Sequence, residues 1–193
     1  MLAKILIVYL SLCFYIASGQ NDIDQSILKK CNTADKINYL SNDEKQVILY
    51  VNLVRNYPQI FLEKIAKPFI YSLNYYKSND FYTNSLIKEL KQLEPVGFLY
   101  VDEKLYRIAK GYAKTIGFNG ETGHNITAKY IDGENLAFGE ETPIEMVMSL
   151  LIDHGVKSLG HRRNILYPSY THIAVAIEKH KYYSIMCVMD FKR

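Results

Sequence analysis

The spacing of hydrophobic residues changes along the chain from helical to alternating. At 47–54, apolar residues recur three or four positions apart, which is the pattern of one face of an α-helix. Near the C terminus they occupy every second position, first at 173–177 and again at 183–191. This alternation predicts a β-hairpin with its turn at 178–181. Helices followed by an antiparallel hairpin indicate an α+β domain.

Sequence signals for helix ends divide the helical part of the chain. The segments 41–44 and 142–145 have the Ser/Thr-x-x-Glu pattern of a capping box, which begins a helix. Asp102 is the predicted N-cap of a third helix, and Gly117 is predicted to end it. Residues 69–84 are predicted to be a long, tyrosine-rich loop. Its stretch from Tyr71 to Tyr82 is interpreted either as a binding surface or as a consequence of codon bias.

The first 19 residues have the properties of a secretory signal peptide. Lys4 precedes an apolar run at 5–17, and Ala17-Ser18-Gly19 is a small-residue cleavage site, which places the cut before Gln20. A membrane-spanning helix needs about 20 apolar residues, so cleavage is favoured over a membrane anchor. We therefore expect a secreted, extracellular protein without a transmembrane segment in the mature chain. Residues 20–40 are expected to form a weakly ordered N-terminal arm.

Composition narrows the class of protein further. A chain of 193 residues that is 49% hydrophobic can form one domain with a substantial core. The net charge of +3 is spread without a basic block, so no nucleic acid is expected as a partner. Outside the signal peptide the cysteines are Cys31 and Cys187. An oxidising compartment favours a disulfide between them, and the alternative is two unpaired thiols.

Four polar motifs lie between or at the ends of the predicted elements. They are Gly-His-Asn at 123–125, Gly-Glu-Asn-Leu at 133–136, Asp-His at 153–154 and Gly-His-Arg-Arg-Asn-Ile-Leu at 160–166. This set resembles the CAP superfamily, or SCP domain, of cysteine-rich secretory, antigen-like and pathogenesis-related proteins, in its short bacterial-like or protist-like form. The resemblance assigns 41–193 to a CAP/SCP domain. It implies an α-β-α sandwich in which a small antiparallel sheet is flanked by helices.

In the family that the chain resembles, two histidines and two acidic residues line a cleft. His124, Glu134 and His161 match three of these positions, and Asp153 is assigned to the fourth by its position in the chain. Asn125 begins an Asn-Ile-Thr glycosylation sequon. We expect this sequon to be poorly occupied, because a glycan beside His124 would block the cleft.

The residue types in the predicted cleft allow two kinds of chemistry. Histidine and carboxylate are ligands for Zn²⁺, and in this interpretation His124 and His161 bind the metal. The alternative is a set of mutual hydrogen bonds in which each carboxylate fixes a histidine tautomer, or in which Glu134 accepts only from backbone amides. Arg162 and Arg163 are expected to be solvated or locally salt-bridged, and the alternative is that they pair with an anion.

Three functions follow from the motifs and the resemblance. The favoured one is a monomeric, non-catalytic extracellular module that binds a sterol or other lipid, a protein partner or a divalent cation. The alternatives are a metal-dependent extracellular hydrolase and a purely structural protein. The HExxH and GxSxG motifs are absent from the sequence. A hydrolase also requires a placed nucleophile or an open metal position, and the sequence identifies neither.

Overall fold

A four-stranded sheet covered by helices forms the framework of the protein. The computed structural model describes residues 23–72, 80–125 and 127–193. The helices are α1 Gln25–Cys31, α2 Asn42–Asn56, α3 Pro58–Phe61, α4 Lys67–Ser72, α5 Phe81–Gln92, α6 Glu103–Asn119, α7 Pro143–Ile152 and α8 Gly160–Ile165, with a π-helical turn at Leu62–Ala66. The strands are β1 Tyr100–Val101, β2 Gly133–Phe138, β3 His172–His180 and β4 Ser184–Lys192.

The sheet has the strand order β1-β3-β4-β2. β3 and β4 form the expected antiparallel hairpin, and β2 adds to β4 in antiparallel orientation. The sheet is mixed rather than wholly antiparallel, because the short β1 runs parallel to β3. α6 packs on β3 and β4, whereas α2 and α7 pack together and contact β3 and β2. The architecture confirms the predicted α+β sandwich.

The predicted helix starts are confirmed by their capping hydrogen bonds. Ser41 and Thr142 each form a complete capping box at the start of α2 and α7. The carboxylate of Asp102 accepts from the backbone of the first turn of α6.

The predicted end of α6 was wrong, because the helix passes Gly117 and ends at Asn119, where Gly120, with a φ of +80°, forms the C-cap. Gly117 instead permits close packing, since a Cβ atom there would lie 2.3 Å from the carbonyl oxygen of Lys179.

Two segments predicted to be irregular are more ordered than expected. Within 23–40, α1 and the turns after it bury Ile23, Cys31, Ala34 and Leu40, so this part of the arm belongs to the core. These few apolar residues suffice because α1 packs on α2. The loop predicted at 69–84 is helical at both ends, and its centre, 73–79, lies outside the described residues.

The hairpin turn lies at 181–183 rather than at 178–181, because β3 continues to His180.

The predicted disulfide is wrong in this structure. Cys31 ends α1, Cys187 lies in β4, and both are free, buried thiols. Burial raises the pKa of the Cys31 thiol to about 12 and raises that of Cys187 as well. The two cysteines pack as small apolar residues in different elements, which agrees with the alternative of unpaired thiols.

The predicted signal peptide at 1–19 lies outside the described residues and stays a prediction. In the ranges that the structure describes, no helix combines the length and the apolar character needed to span a bilayer.

Candidate functional site

The first histidine–carboxylate pair lies where α7 gives way to α8. Asp153 caps α7 in a left-handed conformation, with φ +58°, and the turn that follows brings α8 back beside it. Its Oδ1 atom lies 2.7 Å from Nδ1 of His161. Its Oδ2 atom accepts from the backbone N–H groups of His161, at 2.9 Å, and Arg162, at 3.3 Å. The carboxylate of Asp153 is thus buried, held by three contacts, and holds the His161 ring in one orientation.

The second pair joins a loop to the edge strand β2. Glu134 is in β2 rather than in a turn, and its Oε1 atom lies 2.8 Å from Nδ1 of His124 and accepts from the Asn125 backbone N–H at 2.9 Å. Glu134 therefore both orients the His124 ring and accepts a hydrogen bond from a backbone amide. Tyr112 of α6 fixes the same loop, because its hydroxyl donates to the carbonyl oxygen of Gly123 at 2.6 Å.

Two asparagines that the sequence reasoning did not single out connect the pairs. Asn135 Nδ2 donates to the carbonyl oxygen of His161 at 2.9 Å. Asn164 Nδ2 donates to Asn135 Oδ1 at 2.9 Å and to the Glu134 carbonyl oxygen at 3.2 Å. The sequence could have indicated both asparagines, because Asn135 adjoins Glu134 in the Gly-Glu-Asn motif and Asn164 follows His161 in the His-Arg-Arg-Asn-Ile-Leu motif. These bonds tie β2 to α8, and they hold the strand that carries Glu134 beside the helix that carries His161.

The structure brings the four predicted residues together. The ring centroids of His124 and His161 are 6.5 Å apart, and both rings line a cleft of about 520 Å³. Glu134 also lines the cleft, whereas Asp153 supports His161 from the buried side. The rest of the wall is formed by Val156, Ser158, Gly160, Arg163, Asn164, Tyr167 and Tyr170.

The arrangement leaves one nitrogen of each imidazole for a ligand. A carboxylate only accepts hydrogen bonds, so a neutral ring paired through Nδ1 carries its proton there and has its lone pair on Nε2. Within the described residues, neither Nε2 atom has a hydrogen bond to another protein group. Over the same residues, no three His, Cys, Asp or Glu side chains are grouped so that they could hold a metal ion. At this cleft the arrangement therefore leaves the two Nε2 atoms without a partner among the described residues.

A buried carboxyl group behind Glu134 was missed by the sequence reasoning. Asp190 lies opposite Glu134 in the β2–β4 register and is fully buried. Burial, followed by the neighbouring Glu134, raises the pKa of Asp190 to about 8. The alternation in 183–191 placed Asp190 on the polar side of β4, and this side was predicted to face solvent. That face is covered because α6 packs on the hairpin.

The two arginines after His161 have different environments. Arg162 is buried, donates to the carbonyl oxygens of Tyr82, Leu151 and Ile152, and pairs with Glu89 at 3.2 Å. The expectation of a solvated or locally paired side chain was therefore wrong for Arg162, whose partners come from α5 and α7. Arg163 is exposed and lines the cleft.

The glycosylation sequon lies beside the cleft, as its position next to His124 predicted. Asn125 is half-buried, its backbone N–H is bound to Glu134, and its side-chain oxygen accepts from Thr127 at 3.2 Å. A glycan on Asn125 would therefore be attached next to the His124 ring. Low occupancy of this sequon stays a prediction.

Comparison with known proteins agrees with the motifs and the fold. The family model of CAP, the cysteine-rich secretory protein family, matches residues 50–191, a range that includes both histidine–carboxylate pairs. Among curated proteins, no sequence matches the chain. The family match covers well over half of the 193 residues, and the chain therefore belongs to the CAP family of cysteine-rich secretory proteins.

Proposed function

We propose that the protein is a secreted, non-catalytic binding module whose cleft takes a divalent cation such as Zn²⁺ through Nε2 of His124 and His161. The observation that carries the proposal is the pairing of each Nδ1 atom with a carboxylate. Metal-binding histidines in proteins almost always donate their other ring N–H to such a partner, which orients the ring and makes it a stronger ligand. Secretion is supported by the predicted signal peptide and by the family.

The positions of the rings fit a shared ion. Both line one cleft with their centroids 6.5 Å apart. The side chain of His124 is 54% exposed, so it has room to move toward His161. Two histidines leave further coordination positions for water or for a group of a bound partner. The chemistry that the cation would supply is polarisation of such a group, while Glu134 and Asp153 hold the imidazole protons on Nδ1.

Isothermal titration of the mature chain with Zn²⁺ tests the proposal. We expect one site per chain, and we expect His124→Ala and His161→Ala each to weaken binding by about tenfold or more. His172→Ala is the matched control, because His172 begins β3, which β4 separates from β2, and it is not part of the cleft wall. Absence of binding to the wild type, or equal effects of all three variants, would contradict the proposal.

A metal-dependent hydrolase using the same cleft is the competing proposal. Ser158 lines the cleft, but within the described residues its hydroxyl has no hydrogen bond to His124 or His161 that would activate it as a nucleophile. A screen with generic peptide and ester substrates, with and without added Zn²⁺, separates the two functions. The binding proposal predicts no turnover above that of His161→Ala, whereas zinc-dependent turnover lost in that variant supports the hydrolase.

A further inference from the structure

Two carboxyl groups, one fully buried and one half-buried, face each other between β2 and β4. Glu134 and Asp190 are directly opposite in the strand register. One oxygen of Glu134, Oε1, serves His124 and the Asn125 backbone. Its other oxygen, Oε2, and both oxygens of Asp190 are buried, and no donor reaches them within the described residues. Three orphaned oxygens at one place are unusual, because buried polar atoms in native proteins nearly always have a partner.

A shared proton resolves this arrangement. Two ionised carboxylates can only accept hydrogen bonds, and their charges repel each other strongly in a buried site. A protonated carboxyl group has an O–H that can donate to the other. The proton belongs on Asp190, because Glu134 Oε1 already accepts from His124 and Asn125, whereas no donor among the described residues reaches either oxygen of Asp190.

In the ranges that the structure describes, Asp190 has neither a hydrogen-bond donor nor a cationic partner that would stabilise a negative charge. The titratable groups near it are Glu134 from β2, Tyr112 from α6 and Cys187 from β4 itself. The pKa values of Tyr112 and Cys187 are both raised, chiefly by burial, so these side chains are neutral near pH 7. On β3 the residue opposite Asp190 is Ala174. In the described part of the chain, no lysine or arginine forms an ion pair with Asp190.

We infer that Asp190 is held as a neutral carboxylic acid that donates a hydrogen bond to Glu134 Oε2, and that it is thereby the positioning residue of the His124 half of the cleft. Glu134 is then fixed at both oxygens, by Asp190 on the buried side and by His124 and Asn125 on the cleft side. The inference concerns the cleft of the proposed function, but its first test needs no bound ion.

That test compares the pH dependence of unfolding in the wild type and in Asp190→Asn. The pKa of Asp190 is about 8 in the folded chain and has its ordinary value near 3.8 in the unfolded chain. Between these values the folded state binds one proton that the unfolded state has released, so this group makes the protein less stable as pH rises. Asparagine keeps an N–H donor for Glu134 but has no proton to lose.

We therefore expect the unfolding equilibrium constant of the wild type, divided by that of Asp190→Asn, to rise about tenfold per pH unit from about pH 5 to about pH 7 and to level off above about pH 8. Asp132→Asn is the matched control. The pKa of Asp132 is lowered by bonds to Arg193, so Asp132 is ionised in both states over this range and the corresponding ratio should stay flat. A flat ratio for Asp190→Asn would overturn the inference.

Two further readouts make the test complete. The side-chain carboxyl ¹³C resonance of Asp190 should show the protonated form at pH 6 and titrate near pH 8, whereas an ionised signal at pH 6 would overturn the inference.

For the positioning role, Asp190→Leu should weaken Zn²⁺ binding while Asp190→Asn retains it, and equal retention would refute positioning. If Asp190→Leu does not fold, the Asn variant and the resonance still decide the protonation state. If the wild type binds no Zn²⁺, only the proposed function fails.

Discussion

The two halves of the cleft hold their histidines in different ways. His161 is held from a buried helix end, where Asp153 accepts from the ring and from two backbone N–H groups. His124 is held from a loop against an edge strand, where Glu134 accepts from the ring and from one backbone N–H. The His161 side chain is 25% exposed and the His124 side chain 54%. The half of the cleft around His161 is therefore the more rigid, and we call it the anchor half. The half around His124 can change its position more easily, and we call it the adjustable half.

The difference follows from the elements that carry each half. α7 and α8 are joined to α5 by the buried Arg162 guanidinium. β2 has a partner on one side only, since it is the last strand in the order β1-β3-β4-β2, and its loop depends on single contacts such as that of Tyr112. With a cation bound as proposed, His161 would stay in place while His124 moves toward the ion.

The largest expected effect is on the anchor half. Arg162→Ala should lower the free energy of unfolding by about 3–5 kcal/mol, because it leaves the carbonyl oxygens of Tyr82, Leu151 and Ile152 without their donor in the protein interior. Arg163→Ala is the matched control, since its side chain is exposed, and it should change stability by less than about 0.5 kcal/mol. Urea unfolding measures both, and similar losses would contradict the account of the anchor.

The next effect compares the two carboxylates. Asp153→Asn should cost about 2–3 kcal/mol in urea unfolding, because its N–H₂ group must face donors, either the His161 ring N–H at the Oδ1 position or the two backbone N–H groups at the Oδ2 position. Glu134→Gln should cost less than about 1 kcal/mol, because its amide oxygen can still accept from His124 and Asn125 while its N–H₂ group faces Asp190. An equal cost at the two sites would show that the halves do not differ in rigidity.

The smallest effect tests the contact of Tyr112 with the loop that carries His124. Tyr112→Phe removes the hydrogen bond to Gly123 and should cost about 1 kcal/mol of stability, together with a loss of Zn²⁺ affinity of about threefold. Tyr130→Phe is the control, because its hydroxyl donates to Asp102 at 3.1 Å and lies outside the cleft wall. It should cost a similar amount of stability but leave the affinity unchanged. If both variants bind Zn²⁺ like the wild type, Tyr112 does not hold His124 in place.

Features encoded locally could be predicted from the sequence, and those that depend on tertiary packing could not. The capping boxes and the hairpin are set by residues a few positions apart. The motifs around Glu134 and His161 were recognisable because each motif is continuous in sequence. The burial of Asp190 depends on α6, and that of Arg162 depends on helices at 81–92 and 143–152.

The disulfide prediction failed for the same reason. Cysteine count and compartment give no distance between Cys31 and Cys187, and the fold places the two thiols in different elements. The order within 23–40 was missed because its few apolar residues gain their burial only from packing on α2.

The most direct test of a cation shared by His124 and His161 is ¹⁵N NMR of the histidine rings during a Zn²⁺ titration. Before Zn²⁺ is added, at a pH where the rings are neutral, both histidines should carry their proton on Nδ1, since each Nδ1 faces a carboxylate. During the titration, the Nε2 resonances of both should shift together and stop at one equivalent, while those of His172 and His180 stay in place. A shift of only one ring, or a proton on Nε2 of either ring in the free protein, would contradict the account.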